Sequence, residues 1–437
     1  GTGNINSNPK FGDSGDPDGS DNTFMTHDDG LRLNSDSPCI DAGNNTAIGN
    51  STDIVGNDRK IDGDDDATAT VDMGAYECVP IAVTHIKFDH TTGDTADGID
   101  IRENDSTDIT VPEWVKAGQN KPAAYKKSTS VTIKAKFYIR PTTITSAKIK
   151  ATTTDSIFGN LGEQTVTFTS GVSSYISFTP TNSTPSAIDK GTVTWQWKIR
   201  DIQGGGSPVY TFGSSGAHTI YTVLATPQAP QAEPWTEALD IACVEADGKT
   251  TAAAATRDIW DDFFYDAGGT YDTTSGAPRY TDHGGGADFE LTNWLNSYPN
   301  IGIVNCYDMG KSVVVFANAL GCEAEYVFVS PFGYLNCIKP IGCGWTNNPF
   351  NAANPIVDGD SFRTSFGNHG FSRLDSDIYD GSVGRVDIDS DPDDGPPFTE
   401  YELDGDDTWT NDYDEIVIDY VPTSNPGTPT VYTFSVE

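Results

Sequence analysis

The stretch IGIVNCYDMGKSVVVFANALGC, Ile301 to Cys322, sets a cysteine between a short apolar run and a segment of helical periodicity. From Tyr307 to Leu320 the apolar residues Val313, Phe316, Ala317 and Leu320 recur three and four apart, and Gly321 is a natural stop. The spacing predicts a helix with Cys306 at its N-terminus. Free backbone amides and the positive end of the helix dipole favour a thiolate there, and the same amides can stabilise an oxyanion. A structural cysteine gains little from that position, whereas a nucleophile gains acidity and an anion hole.

A thiolate nucleophile needs a base and a group that orients the base. Downstream of the Pro-rich run ATPQAPQAEP, Ala225 to Pro234, the histidines are His283 and His369. His283 lies in the Gly-rich run TDHGGGADF, whose freedom works against precise placement. His369 lies in FGNHGFSRLDSDIYDGS, which reads as a hairpin. With Asp375 and Ser376 as a two-residue turn, Leu374 faces Asp377 and Phe371 faces Asp380. His369 and Asp380 then become diagonal neighbours on one sheet face, where the carboxylate can hold the imidazole in its proton-accepting tautomer.

These motifs carry a resemblance. NCYDMGKSVVVFANALGCEAEYV, NHGFSRL and IYD resemble, in order and spacing, the cysteine helix, histidine strand and aspartate strand of the transglutaminase-like, papain-related superfamily. The resemblance covers roughly Trp235 to the C-terminus and implies an α+β domain with Cys306 as nucleophile, His369 as base and Asp380 as orienter. Where members often carry an aromatic residue after the histidine, this chain has Gly370 and Phe371. The insertion SPFGYLNCIKPIGCGWTNNPF, Ser330 to Phe350, is expected near the cleft, with Trp345 packed inside it.

Working outward, 437 residues are too many for one core, so several domains are expected. The fold class expected is multidomain and mostly β. Residues 1–80 are rich in Asn, Asp and Gly, and NINSNPKF, LRLNSDSPCIDAG and DRKIDGDDDATATVDMGAYE resemble the closing turns of exported bacterial right-handed parallel β-helices. Such a last coil buries its core only against a neighbouring coil, and its open end invites self-association. Residues 81–226 hold short alternating runs such as SVTIKAKFYI and GTVTWQWKIRDI, which predict an Ig-like antiparallel β-sandwich with Trp195 and Trp197 in its core. Residues 227–234 are expected to be an extended linker, and 235–437 the transglutaminase-like domain.

With 26 basic against 64 acidic residues, the net charge of −38 argues against nucleic acid and anionic lipid as partners. No apolar run reaches membrane-spanning length. The opening at Gly1, without Met and inside an Asn/Gly/Asp-rich pattern, leads us to expect a piece of a longer exported precursor, extracellular or on the cell surface. Seven cysteines suit an oxidising compartment, with Cys39–Cys78, Cys337–Cys343 and Cys243–Cys322 as expected bridges and Cys306 left free. Calcium is the cofactor the acidic loops suggest, as a structural ion. Asp62, Asp64 and Asp66 form one cluster and Asp387, Asp389, Asp391 and Asp393 another, and alternate carboxylates can converge on a hard cation. Neither forms a full twelve-residue calcium loop, and hydrated acidic turns are the plain alternative.

Two functional classes follow. One is extracellular, cysteine-dependent acyl transfer on peptide or side-chain amides of a protein or peptide substrate, as protease, amidase or cross-linker. The other is a non-enzymatic surface or filament component that uses the last domain as a scaffold.

Overall fold

The structure is a computed structural model that describes the chain apart from residues 1–4, 20–21, 26–28, 35–36, 55–58, 62–67, 79–80, 89–97, 117, 141, 203–208, 351–364, 385–412, 414–416 and 420–423. The protein is mostly β, with four helices among the described residues.

The middle of the chain forms a ten-stranded sheet. Its strands arise from strict alternation: Val193, Trp195, Trp197 and Ile199 are buried on Asp189–Arg200, and Ile133, Ala135, Phe137 and Ile139 on Ile133–Ile139. Pairing is antiparallel except where Tyr210–Val223 runs parallel to Ala123–Lys126. The sheet curls over, so that strands not paired with each other meet face to face. Phe137 reaches 5.1 Å from Trp197 across the core, ring centroid to centroid. Both indoles are fully buried, and each N–H finds an acceptor, Gly159 O at 3.1 Å and Ser215 Oγ at 2.8 Å. That satisfies the polar edge that burial would otherwise penalise.

The first segment is built differently. None of its described residues belongs to a strand, and isolated bridges join Phe11 to Leu33 and Ile61 to Thr70. Buried carboxylates organise it. Asp72 accepts the backbone N–H of Asp41 at 2.9 Å and of Cys78 at 2.7 Å. Asp53 accepts that of Glu77 at 3.0 Å, and Arg59 lies 3.4 Å from the Glu77 carboxylate.

All seven cysteines are free thiols in the structure, which corrects the three expected bridges. Cys78 sits in the carboxylate network, its N–H donating to Asp72, while Cys39 is held by Ser37 Oγ and the Met73 N–H, so that hydrogen bonds provide the clamp expected of a disulfide. Burial, then Asp72, pushes the Cys78 thiol up to about 12. Burial pushes the Cys322 thiol up to about 12 and raises the Cys343 thiol as well.

After residue 234 come α1 (Thr236–Glu245), α2 (Ala252–Tyr265), α3 (Leu291–Ser297) and α4 (Cys306–Ala319). A four-stranded sheet, ordered Asp377–Tyr379, His369–Leu374, Glu325–Val329, Thr430–Tyr432, packs on α4. Every residue of α4 is buried, as expected of a helix that is apolar on most faces and enclosed between helices and sheet. Its two charged side chains are tied down. Asp308 accepts the N–H groups of Arg279 and Tyr280, while Lys311 donates to Thr281 Oγ1 at 2.8 Å and Ala287 O at 2.5 Å. Together they hold the 280–289 loop against the helix.

The expected linker is docked on α4. Gln228 N–H donates to Asn318 O at 2.9 Å, Asn318 Nδ2 to Ala229 O at 2.7 Å, and Gln231 is buried. One apolar cluster runs from Ala124, Tyr221 and Val223 of the large sheet through Trp235, Leu239 and Ala242 to Phe316 of α4. Extended Pro-rich sequence lacks apolar side chains of its own, yet it docks here because Asn318 supplies hydrogen bonds to its backbone.

Candidate active site

Asn305 caps α4, accepting the N–H of Tyr307 at 2.9 Å and of Asp308 at 3.2 Å, and Asp308 returns the bond to the Asn305 N–H at 3.0 Å. This reciprocal cap fixes Cys306 as the first helical residue. The N–H of Cys306 donates to none of the described residues.

The hairpin register is the one the turn dictates: Leu374 pairs with Asp377, Arg373 with Ile378 and Ser372 with Tyr379, with Asp375 at φ +55 in the turn. His369 opens the first strand and Asp380 follows the second. His369 Nε2 lies 2.6 Å from Asp380 Oδ2, and the imidazole is also hydrogen-bonded to the Cys306 side chain. Cys306, His369 and Asp380 are therefore together, and all three are buried.

Three glycines permit this approach. A Cβ on Gly310 would stand 2.9 Å from Phe371 Cα, one on Gly370 would meet the Tyr326 ring and hydroxyl, and one on Gly381 would come within 3.0 Å of Met309. The helix thus lies directly on the histidine strand and the aspartate loop.

Asp380 is well supported. Its Oδ1 accepts the Ser382 N–H at 2.9 Å and the Ser382 hydroxyl at 2.8 Å, Oδ2 accepts the Tyr413 hydroxyl at 2.8 Å, and Trp260 Nε1 donates to its backbone oxygen at 2.8 Å. Burial opposes ionisation, but His369 and these donors outweigh it and hold Asp380 below the usual carboxylate range. For His369, burial works downward, while the Asp380 charge and Cys306 raise it further, to about 10. The imidazole is thus held in its protonated form at neutral pH, with the charge compensated on both sides.

Tyr271 completes the cluster and was missed by motif reasoning. Burial, then the charge of Cys306, pushes its hydroxyl well above the ordinary tyrosine range, and among the described residues that hydroxyl has no hydrogen-bond partner. Its strand, Gly269–Tyr271, pairs parallel with Gly302–Val304 just before the cap, which brings it to Cys306. The pairing lies between residues over 30 apart, and a three-residue strand leaves no periodic signal. Tyr307 hydrogen-bonds Asn368 and stacks on Phe328 with centroids 5.9 Å apart, tying the start of α4 to the start of the histidine strand. His283 is exposed, with its ring centroid 6.1 Å from that of Tyr307, and none of the hydrogen bonds among the described residues joins it to the triad.

Asp62, Asp64, Asp66, Asp387, Asp389, Asp391 and Asp393 lie outside the described residues. Among the described residues no group of three or more His, Cys, Asp or Glu side chains is arranged to hold a metal ion, and no helix is long and apolar enough to cross a membrane.

No family model matches the chain, and no curated protein matches it. Among solved structures it is similar to red sea bream transglutaminase, at 9% identity and a TM-score of 0.29, over 64% of this chain and 50% of that one. The chain thus spans half the length of that protein.

Proposed function

We propose that the chain is a cysteine-dependent acyltransferase or amidase of transglutaminase-like fold, acting on amides of peptides or proteins outside the cell or at its surface. The observation that supports this most is the hydrogen-bonded series Cys306, His369, Asp380 at a capped helix N-terminus, with Nε2 of the imidazole 2.6 Å from the carboxylate. The proton already rests on His369, and the sulfur attacks the amide carbonyl as the thiolate partner of that imidazolium. The resulting oxyanion meets the unpartnered N–H of Cys306 and the Tyr271 hydroxyl. His369 returns the proton to the leaving amine, a thioester forms on Cys306, and water or a second amine resolves it. Asp380 keeps the ring oriented throughout.

Mixing the chain with a glutamine-containing peptide, quenching in acid and measuring intact mass tests this reading. A peptide adduct on Cys306, absent from Cys306→Ala, is expected. Complete absence of an adduct and of released amine or ammonia across peptide amides would refute it.

The remaining parts read as an Ig-like sandwich and the end of a parallel β-helix. We further propose that calcium occupies the two Asp clusters; chelation at matched ionic strength should then lower the melting temperature. A second reading, a surface or filament component, is favoured by the exposed apolar side chains of the first segment, Phe24 at 55% and Met25 at 65% exposure. Concentration-dependent self-association that survives Cys306→Ala and vanishes on Phe24→Ser with Met25→Ser would support it.

A further inference from the structure

We infer that the ten-stranded sheet carries a second site, independent of Cys306: a polar cleft on its outer face that binds an acidic oligosaccharide, a chain of sugars bearing carboxylates.

The cleft measures about 480 Å³ and is lined by residues 152–155, Asn160, Thr194 and Gln196. That volume lies within the roughly 300–1,000 Å³ of small-molecule sites. One wall is the outward face of two paired strands. On Asp189–Arg200, Trp195 and Trp197 point into the core, so Thr194 and Gln196 point out, and Gln196 stands opposite Thr152 of Ser146–Thr152. The other wall is the 153–160 loop, which is locked in place. Phe158 is fully buried beneath it and stacks on Trp195, with centroids 6.3 Å apart. The Asn182 N–H donates to Phe158 O at 2.9 Å, Asn182 Nδ2 to Ser156 O at 3.1 Å, and the Asn160 N–H to Thr181 Oγ1 at 3.1 Å.

Inside the cleft, hydrogen bonds orient the polar groups. Asp155 Oδ2 accepts the Thr194 N–H at 2.8 Å and the Thr153 hydroxyl at 3.1 Å, and Asn160 Oδ1 accepts the Thr153 N–H at 2.9 Å. Asp155 Oδ1, Asn160 Nδ2 and the exposed Gln196 amide have no hydrogen-bond partner among the described residues. A fixed carboxylate oxygen with two amides matches the neighbouring hydroxyls of a sugar ring, each of which both donates and accepts. The lining holds no aliphatic or aromatic side chain beyond the threonine methyls, so an apolar guest gains little.

The charge beside the cleft indicates an acidic sugar. One step further along the same face of the same two strands, Lys198 stands directly opposite Lys150. Like charges so placed destabilise a sheet. The acidic groups nearby are committed elsewhere: Glu163 accepts two hydrogen bonds from Arg200, at 2.6 and 2.7 Å, and Asp201 lies 3.2 Å from Lys148. No ion pair among the described residues reaches Lys150 or Lys198. A ligand carboxylate between the two ammonium groups removes their repulsion, while its hydroxyls meet Asp155, Asn160 and Gln196.

The test titrates tetragalacturonate into the full chain by isothermal calorimetry, in buffer without divalent cations, beside its methyl ester and tetraglutamate. Tetragalacturonate should bind. The ester keeps the hydroxyls and loses the charge, and should bind about fivefold more weakly. Tetraglutamate keeps the charge and lacks the hydroxyls, and should not bind measurably. Lys150→Gln with Lys198→Gln should bring tetragalacturonate down to the level of its ester, leave the ester unchanged, and raise the melting temperature of the free chain. Gln196→Ala should weaken both sugars by about fivefold. Cys306→Ala should change none of these values, which separates this site from the catalytic reading. Absence of tetragalacturonate binding, equal binding of tetraglutamate, or affinities unmoved by both sets of substitutions would overturn the inference.

Discussion

The first segment and the domain around α4 solve one problem, holding chain in place, by opposite means. In the first segment, buried carboxylates collect backbone N–H groups where apolar side chains are few: Asp72, Glu77 and Asp53 are almost inaccessible, and the Phe24 and Met25 side chains are left outside. Around α4 apolar burial is continuous, and its ionised pair, His369 with Asp380, is neutralised within itself. The lesson is that a buried charge marks function only where its partners are arranged for proton movement. The same burial in a loop serves architecture.

The largest effect expected from breaking the contrast is Asp380→Ala, which strands a buried imidazolium and the Ser382 and Tyr413 donors. Removing one partner of such a pair costs about 3–5 kcal/mol, so urea unfolding should show at least a partial loss of the 235–437 region. The matching change in the first segment, Glu77→Gln, should be mild at low pH, because the carboxyl there is already held neutral.

The pH responses sharpen this comparison. Burial, then repulsion from Asp72, raises Glu77 from 4.5 to about 8 despite nearby Arg59. A carboxyl that resists ionising in the folded state contributes most below its unfolded value, and that contribution is lost as pH rises from about 4.5 through 8. His369, raised from 6.5 to about 10, contributes fully below 6.5 and loses its contribution as pH rises through 10. Both regions therefore weaken with rising pH, one on gaining a charge and the other on losing one. Hydrogen exchange between pH 5 and 9 should show the first segment opening earlier. Glu77→Gln should reduce that slope to the part contributed by Asp72, itself raised by burial to about 6, and leave the α4 region unchanged, whereas His369→Gln should flatten the α4 region and leave the first segment unchanged.

A smaller effect is expected from Gly310→Ala. The added Cβ meets Phe371 backbone at 2.9 Å, so helix and strand must part, at about 1–3 kcal/mol by thermal melting and with a larger proportional loss of Cys306 reactivity. Smallest is Glu325→Ala, which removes a largely exposed bridge to Arg373 and should cost less than about 1 kcal/mol.

What was legible in the sequence was local. The cysteine, its helix and Gly321 follow from periodicity and capping, and the hairpin register from a two-residue turn, which together placed His369 beside Asp380. Tyr271, Ser382, Tyr413 and Trp260 were not legible, because their roles depend on contacts between distant segments; Trp260 meets Asp380 across 120 positions. Gly310, Gly370 and Gly381 stood in the quoted motifs, yet a glycine inside a helix or strand reads as a weakness until the neighbour it admits is seen. The cysteines misled, since their number and spacing say nothing of which thiols the fold buries apart from one another.

The central claim is that Cys306 is chemically unlike the other six thiols. Brief treatment with iodoacetamide at neutral pH, followed by peptide mapping of all seven cysteines, tests it most directly. The account predicts that Cys306 is carbamidomethylated first, faster than the same thiol in urea, that Cys78, Cys243 and Cys322 lag, and that His369→Gln slows Cys306 by tenfold or more. Labelling of Cys306 no faster than in the unfolded chain, and indifferent to His369, would contradict it.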